Sequence, residues 1–151
     1  MRAPIWIHSS LRNWRDVYRW CEIAGIRKVM PSEELHFTAA TVRAPVEWDD
    51  LKLRTEDLVI PAGPKAVQIF AYTIKALVFD HPVIRSRHAE LLGMFPQIDH
   101  PVLRPHLSLF KGGRMPKIPY EGELVFGPEQ ADVFDAANVH GIKHVKVADH
   151  V

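Results

Sequence analysis

Cysteine is almost absent from this chain: among its 151 residues Cys21 is the only cysteine. A lone cysteine cannot form an internal disulfide, which excludes a disulfide-stapled secreted domain. No apolar run approaches the roughly 18 residues of a membrane span, and the N-terminus lacks the basic and then apolar pattern of a signal peptide. We therefore expect a cytoplasmic protein with no membrane partner.

A large excess of one charge is also missing. Nineteen Lys and Arg residues face eighteen Asp and Glu residues, which leaves a formal net charge of +1. Proteins that bind long nucleic acids carry a basic face that neutralises many phosphates. We therefore expect no long nucleic acid as a partner, whereas a small anionic ligand is compatible with this charge.

Proline, by contrast, is abundant, with 12 residues spread along the chain. These prolines interrupt the chain too often for a helical bundle. With 47% apolar and 25% charged residues, the composition is that of one ordinary globular domain. Composition alone indicates no function.

Apolar periodicity and turn residues predict two helices and a series of short strands. The predicted helices cover residues 11–24 and 82–92, and the predicted strands cover residues 4–8, 35–42, 58–61, 67–72, 76–79, 106–111 and 123–126. This mixture of elements predicts an α+β fold with two antiparallel sheets lining a central cleft and helices on the outer faces.

Two similar motifs stand in matching places of the two halves. His36-Phe37-Thr38 and His106-Leu107-Ser108 share the order histidine, apolar residue, hydroxyl, and they lie 70 residues apart. Each histidine stands 25 residues after the approximate start of a predicted helix, near residue 11 in the first half and near residue 81 in the second. The agreement of motif, element order and spacing predicts an internal pseudo-twofold repeat of architecture, with lobe one at about 1–60, lobe two at about 66–135 and a tail at 136–151.

The paired motifs suit phosphodiester chemistry. Residues i and i+2 of a strand point to the same side, so each motif places an imidazole beside a hydroxyl. In-line displacement at phosphorus needs a base for the incoming oxygen and an acid for the departing one, and histidine serves either role near neutral pH. The hydroxyls would donate to the phosphoryl oxygens. This arrangement requires no metal or other cofactor. A single His-x-Thr motif is more often a satisfied structural histidine, and the pairing is what favours catalysis.

The paired motifs, the repeat and the length resemble the two-histidine (2H) phosphoesterase superfamily, which includes RNA 2',3'-cyclic phosphodiesterases and LigT-type RNA ligases. Further segments resemble one branch, the phage anti-CBASS nucleases, which hydrolyse cyclic oligonucleotide second messengers of bacterial abortive-infection systems. These segments lie at 34–38, 43–48, 104–108 and 119–129. The resemblance covers residues 4–135 and leaves 136–151 without a counterpart.

The resemblance implies a metal-independent phosphodiesterase that hydrolyses 3',5'-linked cyclic di- and trinucleotides, such as cGAMP, to evade CBASS immunity. It places the catalytic pairs at His36 with Thr38 and at His106 with Ser108, where serine replaces the branch's more usual threonine. Residues implied to bind substrate are the aromatic side chains that would stack on bases, an arginine that would hold phosphate and a carboxylate that would read an adenine edge, namely Trp6, Phe70, Tyr72, Arg104 and Glu129.

Two other functions remain open at this point. The same four catalytic side chains could cleave 2',3'-cyclic phosphates at RNA ends, although a more basic groove would favour that substrate. A cyclic-nucleotide sponge or a phage structural module could keep the fold without catalysis. Binding alone does not need both imidazoles, which favours the enzyme. The oligomeric state is not indicated by the sequence.

Overall fold

The computed structural model describes residues 1–70, 73–135 and 143–150. Within these ranges lie the helices α1 (Trp14–Ile23) and α2 (Pro82–Met94) and the strands β1 (Arg2–Ser10), β2 (Lys28–Val29), β3 (His36–Glu47), β4 (Leu58–Ile60), β5 (Val67–Phe70), β6 (Ile74–Val78), β7 (His106–Lys111), β8 (Leu124–Phe126), β9 (Gln130–Val133) and β10 (Val145–Lys146). Neither of these two helices is long and apolar enough to cross a membrane.

The main sheet has six strands in the order β5-β6-β7-β3-β1-β9, and every neighbouring pair is antiparallel. Its two halves meet where β3 pairs with β7, and this contact consists of the single residue pair Phe37 and Leu107. The described chain also forms two smaller sheets of two strands each, in which β4 pairs with β8 and β2 pairs with β10. The predicted α+β class is confirmed, and the two predicted sheets are the halves of this continuous sheet.

Strand pairing crosses the predicted limits of the lobes. β9 follows β8 in the chain, yet it pairs with β1 and not with a strand of the second half. β8 pairs with β4. A strand from near the end of the described chain therefore completes the half-sheet that begins at Arg2.

The structure corrects the start of the first helix. The apolar stripe predicts a start at residue 11, but α1 begins at Trp14. The Leu11 amide donates to Leu35 O just before β3 and the Arg12 amide to Val125 O of β8, so both amides bond to remote segments of the chain. The predicted stop is confirmed, because Gly25 follows α1 with a φ of +85° that favours glycine.

Both helices cover the same side of the main sheet. Tyr18 of α1 packs in a buried cluster with Phe37 and Leu107. Leu91 of α2 packs in a second cluster with Ile7 of β1. Since side chains alternate along a strand, the histidines and hydroxyls beside Phe37 and Leu107 lie on the opposite side of the sheet, which the helices leave open.

Some of the predicted elements fall outside the described ranges. Tyr72 and residues 136–142 of the predicted tail lie there, as does Val151. Of the remaining tail, β10 pairs with β2, which ties residues 145–146 to the segment after α1.

Candidate active site

The four residues of the paired motifs share one face at the centre of the sheet. Phe37 pairs directly with Leu107, and paired residues of antiparallel strands point to the same side. The residues next to them in each strand therefore point to the other side, which brings His36 and Thr38 of β3 onto the face that carries His106 and Ser108 of β7. The structure thus brings together both predicted pairs.

The two histidines make the same type of hydrogen bond, from Nδ1 to the carbonyl oxygen two residues earlier. His36 Nδ1 lies 2.6 Å from Glu34 O, and His106 Nδ1 lies 2.7 Å from Arg104 O. A carbonyl oxygen only accepts, so Nδ1 carries the hydrogen in both rings. In the described part of the chain no protein group bonds to Nε2 of either ring. Nε2 is therefore the atom of each ring that can take or give a proton.

Burial sets the proton affinity of both imidazoles. The pKa of His36 is lowered mainly because burial disfavours the charged ring; its bond to Glu34 opposes this, and nearby charge on His8 and His106 adds to it. The pKa of His106 is lowered mainly by burial; its bond to the Arg104 carbonyl opposes this, and the nearby charges of Arg104 and His100 add to the lowering. Positive charge on His106 therefore disfavours the protonated form of His36.

An aromatic ring lies against the histidine of each motif. Trp6 meets His36 edge to face, with ring centroids 5.1 Å apart. Phe70 stacks on His106 with centroids 4.3 Å apart and an interplanar angle of 15°. The two rings predicted to stack on bases therefore contact the imidazoles in this structure. Their role in base binding stays a prediction, as does that of Tyr72, which lies outside the described residues.

Arg104 lies at the predicted place beside the second motif. Its guanidinium carbon is 4.4 Å from the centroid of Phe70, and its carbonyl oxygen accepts from His106. The side chain thus adds positive charge at the edge of the site, as phosphate binding would need.

Sequence reasoning missed a third histidine, His8 of β1. Its ring stacks on Trp6 with centroids 3.8 Å apart and lies 6.0 Å from the ring of His36. His8 Nε2 is 2.6 Å from Asp132 Oδ2. The alternation of β1 places His8 and Trp6 on one face, but β9 was not predicted, so nothing in the sequence indicated Asp132 as its partner.

Glu129 lies on the helix side of the sheet, away from the histidines. Its side chain is 2% exposed and accepts from Arg87 Nη2 at 2.8 Å and from the Arg54 amide at 2.9 Å. It lines a small cavity together with Phe37 and Ile84. The base-reading role of Glu129 stays a prediction, and it would require the Arg87 pair to open.

No group of three or more metal-binding side chains is found among the described residues. The histidines of the site are instead engaged by carbonyl oxygens, by Asp132 and by aromatic rings.

The fold is similar to that of LigT and of a second solved phosphoesterase. Escherichia coli LigT in complex with ATP superposes with a TM-score of 0.59 at 9% sequence identity, over 97% of this chain and 95% of that one. A structure described as a phosphoesterase gives a TM-score of 0.56 at 9% identity, over 97% and 95% of the two chains. At such identities the likeness concerns the fold alone, and it confirms the predicted fold class.

The family follows from the sequence comparison. The model of the family described as anti-CBASS protein Acb1 matches residues 4–139, and the chain belongs to this family. An anti-CBASS protein Acb1 from Caulobacter sp. (strain RHG1) is 27% identical in an alignment of 149 positions, which covers 87% of this chain and 23% of that protein. One from Sphingomonas paeninsulae is 23% identical in an alignment of 147 positions, which covers 83% of this chain and 22% of that protein. The chain thus spans less than a quarter of the length of these curated relatives.

The Glu129 ion pair predicts a large loss of stability when its carboxylate is removed. Glu129→Ala leaves Arg87 partly buried without its main partner, which should lower the free energy of unfolding by about 3 to 5 kcal/mol. Glu90→Ala is the matched control, because Glu90 pairs with the same guanidinium but is 63% exposed, so its removal should cost about 1 kcal/mol or less. Urea unfolding of both variants measures the difference, and equal losses would contradict the buried pair.

The lowered pKa values of His36 and His106 predict weaker folding at acid pH. Unfolded histidines titrate near 6.5, whereas the folded ones titrate lower, so in this window the unfolded chain binds more protons. The contribution of the two neutral rings to stability is full above pH 6.5 and declines as the pH falls through the lowered values. Urea unfolding between pH 5 and 7.5 should show a shallower decline in a His36→Gln/His106→Gln variant than in the wild type. Equal declines in the two proteins would show that His36 and His106 are not the origin of the pH dependence.

Proposed function

We propose that this chain is a phosphodiesterase that hydrolyses 3',5'-linked cyclic di- and trinucleotides and thereby silences CBASS signalling. The observation that carries the proposal is the matched pair of imidazoles on one face, each with Nδ1 bonded to a carbonyl oxygen and Nε2 left for chemistry. Membership of the Acb1 family supports the anti-CBASS role and a cyclic nucleotide as the substrate.

The reaction divides between the two imidazoles. One neutral ring accepts a proton from water through Nε2, and the water oxygen forms a bond to phosphorus. The bond from phosphorus to the departing ribose oxygen breaks, and that oxygen takes a proton from Nε2 of the other, protonated ring. The two rings end with exchanged protonation states and return to the start by proton exchange with solvent.

The unfavourable effect of one charged ring on the other fits this division. Because His106 lowers the pKa of His36, the state with one proton on the pair is favoured over the state with two. A proton on His106 therefore favours a neutral His36, which is the combination of one acid and one base that the reaction needs.

The hydroxyls and Arg104 complete the proposed site. Thr38 and Ser108 lie beside the imidazoles on the open face, where they can donate to the non-bridging phosphoryl oxygens. The guanidinium of Arg104 can balance the charge of a phosphate. Trp6 and Phe70 border the histidines and offer apolar surface to the nucleoside parts of the substrate.

The test is a panel of substrates with paired variants. We expect the wild type to cleave cyclic dinucleotides. His36→Ala and His106→Ala should each lower kcat by about 10² to 10⁴. The loss of kcat in the double variant should be far from the product of the two single losses, because the two imidazoles act together. Chromatography measures product formation, and circular dichroism checks that the variants are folded. His81→Ala serves as the control, since His81 caps α2.

The same panel separates the competing functions. A 2',3'-cyclic mononucleotide that is cleaved faster than every cyclic dinucleotide would favour the RNA-end phosphodiesterase. Tight binding of cyclic dinucleotides without cleavage would favour a sponge. A folded His36→Ala or His106→Ala variant with the wild-type rate would contradict the paired mechanism. The phage origin and the cytoplasmic location stay predictions.

Chelation should leave the activity intact. Acid, base and phosphate contacts all come from protein side chains in this mechanism, so dialysis against EDTA should change kcat by less than about twofold. The measurement is the rate on the best cyclic dinucleotide before and after dialysis. Loss of the rate in EDTA with recovery in Zn²⁺ or Mn²⁺ would overturn the metal-independent mechanism.

A further inference from the structure

The hydroxyls of Thr38 and Ser108 differ in their hydrogen bonds, because only Thr38 accepts one from a side chain in the described ranges. Trp6 Nε1 lies 3.1 Å from Thr38 Oγ1, and the indole nitrogen can only donate. In the described ranges no side chain donates to Ser108 in the same way. The residue opposite Ser108 on β6 is Ala76, whereas the residue opposite Thr38 on β1 is His8.

The bond from Trp6 decides where the proton of Thr38 points. A threonine hydroxyl has one hydrogen to donate and two lone pairs that accept. The indole N–H occupies one lone pair, so the hydroxyl hydrogen is directed away from Trp6. On the open face Thr38 lies beside the proposed catalytic centre, where a phosphoryl oxygen of the substrate would be the acceptor for this hydrogen.

The indole ring is itself held in place from behind. His8 covers one face of Trp6 with centroids 3.8 Å apart, and His8 is anchored to Asp132 of β9 at 2.6 Å. The edge of Trp6 also contacts His36. Three successive contacts thus connect the edge strand of the sheet to the hydroxyl of Thr38.

We infer that Trp6, held by His8 and Asp132, is a positioning residue that orients the Thr38 hydroxyl as a hydrogen-bond donor to the scissile phosphate. The phosphate is taken from the proposed function, on which this inference rests. Trp6 then acts through its N–H, whereas a base-stacking residue would act through its ring face. The first half of the site thus provides an oriented donor, whereas Ser108 in the second half has no such side-chain donor among the described residues.

Trp6→Phe tests the inference, because it removes the N–H and keeps an aromatic ring. We expect kcat on the best cyclic dinucleotide to fall about 10-fold with KM changed less than about threefold, as for a contact made mainly in the transition state. Trp48→Phe is the matched control, since the indole of Trp48 donates to Ala3 O at 3.1 Å away from the site, and its kcat should stay at the wild-type value.

A double-mutant cycle separates positioning from stacking. If Trp6 acts through the hydroxyl, Trp6→Phe should cause no further loss in a Thr38→Val background. Independent effects that multiply would overturn the inference, and so would an unchanged kcat in a folded Trp6→Phe variant. If Trp6→Phe fails to fold, Asp132→Ala at a 60% exposed position removes the anchor of His8 and should lower kcat about threefold. An unchanged rate in the Asp132→Ala variant would also contradict the inferred role of Trp6 held by His8 and Asp132.

A binding measurement keeps this inference distinct from the proposed function. Inorganic phosphate, titrated into the protein and followed by the indole N–H resonances of the four tryptophans, should perturb the Trp6 signal in the wild type but not in Thr38→Val. Phosphate affinity should fall several-fold in Trp6→Phe and not in Trp48→Phe. A wild type that cleaves no cyclic nucleotide would refute the proposed function while this titration still tests the positioning. If the Trp6 resonance does not change on addition of phosphate and Trp6→Phe and Trp48→Phe bind phosphate equally well, the positioning role is refuted.

Discussion

The backbone pairing of Phe37 with Leu107 is the contact on which the site depends. It is the one residue pair through which β3 and β7 join the two halves of the main sheet. Both side chains are buried among the residues that the helices cover, which fixes the opposite face of each strand toward the open side. A shift of this pairing by one residue would turn one pair of imidazole and hydroxyl into the core. The core and the site are therefore specified by the same pairing.

The two halves differ in how they support equivalent groups. Each imidazole is fixed by a carbonyl two residues before it, a bond that depends on the backbone and not on the identity of the neighbours. The rings and hydroxyls around them are not equivalent, because Trp6 and His8 accompany the first pair and Phe70 the second. A site with two similar imidazoles and dissimilar surroundings can assign them different roles, as acid and base catalysis requires.

Much of the fold and the centre of the site could be predicted from the sequence. The 70-residue repeat of His-x-Thr/Ser located both pairs, and Gly112 and Gly113 ended β7 where turn residues indicated. Asp132 and the environment of Glu129 could not be predicted, because both depend on the pairing of β9 with β1 and on the packing of Arg87 beneath the sheet. Short strands carry little periodicity, and their partners are set by contacts remote in the chain.

The return of β9 to β1 has a consequence for how the chain reaches this fold. Ile5 pairs with Val133, so nearly the whole described chain must be closed into a loop before the pair forms. Such remote pairing slows folding. During synthesis β1 cannot pair with β9 until residues 130–133 have left the ribosome, so this edge of β1 lacks its partner until then. An uncovered edge offers unpaired amides and carbonyls to other chains, so β9 protects the nascent protein from aggregation as it completes the sheet.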